Sequence, residues 1–322
     1  PPPPPSPPPP APILTTTTTT ISRDPHLVLA HGGRADFKGE DGKVYNLLTA
    51  RNVSFNALFK YDDFNLPHRL VHGSYMESVY VTARTYCEHA SEHCKSWTGR
   101  SRLLSIEFNA TKGLHQTHFA LVREQGRPSV QIDSKGMRFD NVFVQLREHQ
   151  KATSLYVTTG QWRLTAVSKN FPNPDANLGR MLLHVGVEAL YDADSDPVAP
   201  HGLIGQSYDG DAIAIDGKQD DYRSSDDVMT TEAQAEGAIE GTGVDYMMSG
   251  PFATDFKYSR FNAVKAAHRD VSRLSGKKRY RSNNDKSAGS TTFSTDALPT
   301  AAEPVATRPD FERIINRIHP QK

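Results

Sequence analysis

The chain has 322 residues, with 37 basic and 37 acidic side chains and a formal net charge of zero. Neutrality removes the global field that draws a protein onto nucleic acid or an anionic membrane. No apolar run approaches the roughly 20 residues that cross a bilayer. The length suits one large or two small domains, but both ends are low in complexity, which leaves about 22–265 for a packed core. The chain begins on proline and is expected to be a mature or internal fragment whose targeting segment is gone.

Residues 1–12 are proline except Ser6 and Ala11. Proline lacks an N–H donor and has a fixed φ, so this tract is expected to be a polyproline II rod extending about 3.1 Å per residue. A threonine run follows: Thr15, Thr16, Thr17, Thr18, Thr19 and Thr20. A proline block beside a threonine run resembles the O-glycosylated, hydroxyproline-rich matrix proteins of algae and plants. The resemblance implies sugar on those threonines.

The body reads as strands. Val44-Tyr45-Asn46-Leu47-Leu48, Val53-Ser54-Phe55-Asn56-Ala57-Leu58-Phe59 and the segment 75–82 alternate large apolar residues with small or polar ones. The segments 103–108, 129–132, 154–157, 162–167 and 181–187 continue the pattern, with Gly, Pro, Asn and Asp between them. An all-β, antiparallel two-sheet sandwich is predicted. Helical spacing is confined to 261–274 and, more weakly, 311–318. The expected organisation is a rod over 1–21, a β domain over 22–256, and a basic helical then low-complexity tail over 257–322.

The chain has two cysteines, Cys87 and Cys94. Close spacing in a secreted setting predicts one disulfide closing a short loop. His89 and His93 lie between them, but four ligands within eight residues would strain a zinc tetrahedron. Asn52-Val53-Ser54 and Asn109-Ala110-Thr111 are N-glycosylation sequons, making Asn52 and Asn109 candidate glycan sites.

Two patches far apart carry the most specific signal. The first is Asp24-Pro25-His26, then Gly32, Asp36-Phe37 and Gly39, then Tyr45. Pro25 is expected to open an edge strand, Gly32-Gly33 to make its turn, and Phe37 and Tyr45 to point into the core. The second is Gly202-Leu203-Ile204-Gly205, followed by an aspartate-rich run ending at Tyr222. Together they resemble the opening and closing signatures of von Willebrand factor type D-like domains. The similarity is greatest to cysteine-poor relatives at the C-terminus of inter-alpha-trypsin inhibitor heavy chains and in root-cap proteins.

The resemblance spans about 24–222 and implies an extracellular assembly module rather than an enzyme. It also implies calcium near the closing motif, where Asp209, Asp211, Asp216, Asp220 and Asp221 offer hard oxygen ligands. His31, Gln206 and Tyr208 stand where the family places other ligands. The run Asp192-Ala193-Asp194-Ser195-Asp196 imitates an EF-hand start, but Pro197 and Leu203 occupy its glycine and glutamate positions.

Acidic residues dominate 188–245 and basic residues 257–281, a pairing suited to contacts between copies. There is no Gly-x-Ser-x-Gly, Walker loop, dinucleotide fingerprint or His-Glu-x-x-His. The sequence therefore predicts an extracellular structural glycoprotein assembling non-covalently into a matrix, cell wall or filamentous appendage. Its expected partners are copies of itself, other matrix glycoproteins and glycans. The rivals are a glycan- or calcium-dependent adhesion module and a hydrolase with a cryptic site.

Overall fold

The structure, a computed structural model, describes residues 18–22, 25–66, 69–86, 101–110, 120–149, 152–170, 181–193, 196–211, 213–223 and 226–263. The polyproline tract, Thr15 to Thr17, Cys87, Cys94 and everything after 263 lie outside the described residues. With them go the expected rod, the disulfide and nearly all of the helical tail.

The strands in chain order are β1 (Thr18–Ser22), β2 (His26–Val28), β3 (Arg34–Asp36), β4 (Val44–Ala50), β5 (Val53–Leu66), β6 (Arg69–Arg84) and β7 (Leu103–Asn109). They continue as β8 (Ala120–Glu124), β9 (Val130–Ile132), β10 (Met137–Phe139), β11 (Val142–His149), β12 (Ala152–Thr158), β13 (Trp162–Asn170), β14 (Met181–Ala189) and β15 (Val228–Thr230). No α-helix occurs among the described residues, only short 3-10 turns. None of their helices is long and apolar enough to cross a membrane.

Two antiparallel sheets result. The larger has eight strands in the order β10-β11-β12-β13-β14-β1-β2-β3; the smaller has seven, β4 to β9 in sequence with β15 added parallel to β6. Period-two alternation gives each sheet one apolar face. Leu155, Val157, Leu164, Ala166, Leu183 and Val185 from the larger sheet share one core with Phe55, Ala57, Val79, Val81, Ile106 and Phe108 from the smaller. Trp162 is fully buried and meets Tyr191 and Tyr208 edge-on, at 5.5 and 5.4 Å between ring centres. Each such pair adds about 0.5–1.5 kcal/mol beyond area burial.

Three expectations are corrected. The folded body does not start at residue 22: Thr18 to Ser22 form β1, held between β14 and β2 inside the larger sheet. Threonine is β-branched and suits a pleated, half-buried surface, so the end of the threonine run is strand rather than spacer. The strand after Pro25 is not an edge either, because β2 pairs with both β1 and β3. Finally, Tyr258 and Phe261 are buried, so the body continues past 256.

Candidate functional site

The two signature patches, more than 150 residues apart, meet in space. On the opening side, Phe37 and Tyr45 are buried as expected and form an edge-to-face trio with Phe59, with ring centres 5.1–5.7 Å apart. The turn before Arg34 is left-handed at both His31 (φ 61°) and Gly32 (φ 91°). On the closing side, residues 201–204 run along the outer edge of β4. Thr49 and His201 exchange both backbone hydrogen bonds at 2.7 and 2.8 Å, Leu203 N–H donates to Asn46 O, and Ile204 N–H to Leu47 O.

This approach requires glycine at 202, while at 205 an added Cβ would first meet a side-chain tip. Gly202 has φ 106°, and a Cβ there would lie 2.6 Å from Leu47 O; at Gly205 it would lie 2.6 Å from Leu48 Cδ1. An edge strand exposes unpaired N–H and C=O groups, and the closing motif covers those of β4.

The aspartate run does the same for β3. Asp36 N–H donates to Lys218 O, Ala235 N–H to Asp36 O, and Gly217 N–H to Arg34 O. His26 Nδ1 lies 2.6 Å from Asp36 Oδ1, Asp36 Oδ2 accepts the Asp220 N–H at 2.8 Å, and Tyr222 meets the His26 ring edge-on at 5.3 Å.

Four of the five candidate calcium ligands accept hydrogen bonds from backbone N–H groups. Asp211 accepts from Ile213 N–H, Asp216 from Arg34 N–H, and Asp221 from Arg223 N–H. Asp220 accepts from both Glu232 and Ala233 N–H. Burial raises the Asp220 carboxyl above its ordinary value; those two N–H groups oppose the shift and neighbouring Asp36 adds to it. Asp209 is half-buried. Among the described residues, no group of three or more His, Cys, Asp or Glu is placed to hold a metal ion. These aspartates build the turns that carry the segment across the sheet edge.

Beneath the closing motif lies a buried polar network that sequence spacing did not reveal. His201 is wholly buried and stacks on Tyr258 at 4.5 Å between ring centres, with Tyr246 at 5.9 Å. Its Nδ1 accepts the Gly202 N–H at 2.9 Å, which leaves Nε2 as the donor facing Glu240 Oε2 at 3.4 Å. Gln206 Nε2 donates to Gly202 O and the Tyr246 hydroxyl, that hydroxyl donates to Glu240 O, and Glu240 N–H donates to Gln206 Oε1. Burial lowers the Arg260 pKa, against the pull of Glu240 and Tyr246.

The network ties residues 201–206 to Glu240 and Tyr246 and so locks the closing motif against the segment that follows it. His201 and Gln206 belong to a segment singled out from sequence. Tyr246, Tyr258 and Glu240 carried no signal, because nothing in an irregular segment tells which distant residues it will cover.

The glycan candidates divide. Asn52 occupies the left-handed position (φ 65°) of the β4–β5 turn, a conformation asparagine tolerates. Asn109 ends β7 and donates through Nδ2 to Ser78 Oγ at 2.7 Å. Thr19 and Thr20 are fully buried, Thr19 opposite Val187 of β14 and Thr20 between Gly186 of β14 and Val28 of β2, which corrects the expectation of sugar there, since neither side chain has room to carry one. Thr18 is half-buried in the same strand. No protein-family model matches the chain, and no curated protein matches it.

Proposed function

We propose that this is an extracellular structural glycoprotein, built on a von Willebrand D-like β body and assembling non-covalently within a matrix, cell wall or filamentous appendage. The observation that carries the reading is how the proline–threonine tract joins the body. In sequence the tract leads into β1 (Thr18–Ser22), an interior strand of the larger sheet, which joins the segment proposed for assembly to the centre of the body. The sequons at Asn52 and Asn109, the Cys87–Cys94 pair and the Thr15 to Thr17 run support an extracellular setting.

Partners on this reading are other copies and neighbouring glycoproteins, with the acidic 188–245 and basic 257–281 stretches adding salt-sensitive contacts. Calcium at the Asp209, Asp211, Asp216, Asp220 and Asp221 stretch belongs to the same family reading. Sedimentation of the native protein tests it. Polymers that dissociate when salt is raised, or when residues 1–12 are deleted, are expected. A monomer at all concentrations, unchanged by either treatment, would overturn the assembly reading.

A further inference from the structure

At the end of the sandwich where the β4–β5 turn, the end of β6 and the β12–β13 turn converge, a cleft of about 370 Å³ opens. Its volume falls within the range of small-ligand clefts, about 300–1,000 Å³. Two guanidinium groups, Arg51 and Arg84, stand in its wall with the aromatic ring of Tyr86, and the amide side chains of Asn52, Asn141 and Gln161. None of the described lining residues is acidic.

The cationic side is held in place. Arg84 lies over the Phe261 ring at 5.2 Å and donates to Asn262 Oδ1 at 2.7 Å. Asn141 Oδ1 is already spent on the Tyr86 backbone N–H at 2.8 Å, which leaves its amide N–H₂ as the group on offer. Tyr86 is 41% exposed, a large share for an aromatic residue.

We propose that this cleft binds an acidic saccharide, with a uronate carboxylate on the arginines and a sugar ring against Tyr86. Each part of the lining matches one part of that ligand. A guanidinium fork pairs with a carboxylate in two parallel hydrogen bonds. The negative face of an aromatic ring attracts the polarised C–H face of a sugar. The Asn141 N–H₂ group donates to a hydroxyl, and the Gln161 amide both donates to and accepts from one. By contrast, the charges of the second cleft, between the edge strands β9 and β10, are already paired: Glu124 with Arg102 and Arg127, and Asp140 with Arg102. The proposal rests on the extracellular setting but not on polymerisation, so ligand titration and sedimentation fail independently.

The test is calorimetric titration of the full chain, made in a host that adds no sugar, with tetragalacturonate, a neutral galactose tetramer and tri-glutamate. Binding of tetragalacturonate at least tenfold tighter than either control is expected. Tyr86→Ala and Arg51→Gln change exposed side chains, and each is expected to weaken binding about tenfold with the melting curve unchanged. No binding of tetragalacturonate, or equal binding of tri-glutamate, would overturn the proposal. So would binding that survives both substitutions, or that vanishes once the native Asn52 sugar is present.

Discussion

Replacing Gly202 with alanine puts the convergence of the two signatures under direct stress. At φ 106° the backbone of Gly202 lies where a side chain is disfavoured, at a cost of about 1–3 kcal/mol. The new Cβ would also stand 2.6 Å from Leu47 O and 2.7 Å from Leu47 C. These are strand atoms that cannot swing aside as a side-chain tip can. Relieving the clash means lifting residues 202–204 from β4, with loss of the Leu203–Asn46 and Ile204–Leu47 hydrogen bonds, about 0.5–1.5 kcal/mol each. The expected destabilisation is about 4 kcal/mol, a large share of the 5–15 kcal/mol typical of a domain. Urea unfolding followed by tryptophan fluorescence would read it as a lower midpoint at constant slope. Gly250→Ala is the internal control: its added Cβ meets nothing within 4 Å, and stability should hold or rise by up to about 1 kcal/mol. A Gly202→Ala protein within about 1 kcal/mol of the parent would refute the claim that the closing motif needs this approach.

Tyr246→Phe removes the hydroxyl that receives the Gln206 amide and donates to Glu240 O; the Glu240 carbonyl loses that donor, the Gln206 amide keeps only Gly202 O, and about 2 kcal/mol of stability should go, measurable in the same urea titration. Burial raises the Tyr45 hydroxyl to about 12 and also raises Tyr80. For such groups the stabilisation is complete below the unfolded value of about 10 and is lost as pH rises through the folded one. Absorbance titration should therefore show these tyrosines ionising together with alkaline unfolding, and smooth ionisation of all tyrosines near pH 10 in folded protein would contradict their burial. Removing residues 1–17 should leave the melting temperature nearly unchanged. Removing 1–22 should expose the facing edges of β14 and β2 and drive aggregation, visible by light scattering.

The fold class was legible because one face of each sheet is buried. In 53–59 and 103–108, apolar residues fall on every second position, and Phe55, Ala57, Phe59, Leu104, Ile106 and Phe108 are all core residues. Strand length was not. β5 and β6 run 14 and 16 residues, because beyond Phe59 the hairpin crosses the polar stretch 60–63 to a second small core in which Phe64 faces Val71 with Tyr75 beside it, and so few apolar residues set no readable period. β11 does alternate, with Val142, Val144 and Leu146 inward, yet charged Arg147 and Glu148 mask it. The homopolymeric look of the threonine run concealed β1, although its β propensity pointed the right way. At the site, the closing motif stood out in the sequence, but nothing in it told that residues 201–204 would lie along β4. The aspartates could not be assigned from composition, since a carboxylate that caps a turn and one that binds an ion look alike in sequence.

The central place of β1 sets a load path. Tension on the proline segment enters the body at Thr18 and meets two ladders at once, with Thr18 to Ile21 in register with residues 185–188 of β14 and Thr20 to Ser22 with residues 26–28 of β2. A terminal strand on a sheet edge would peel from a single neighbour. Here, extraction must rupture both sides and drag the buried Ile21 side chain out of the core. It would also split the larger sheet into a five-stranded and a two-stranded piece. Failure under force should therefore be abrupt rather than gradual, and a strand made mostly of threonine would set the force at which the body gives way.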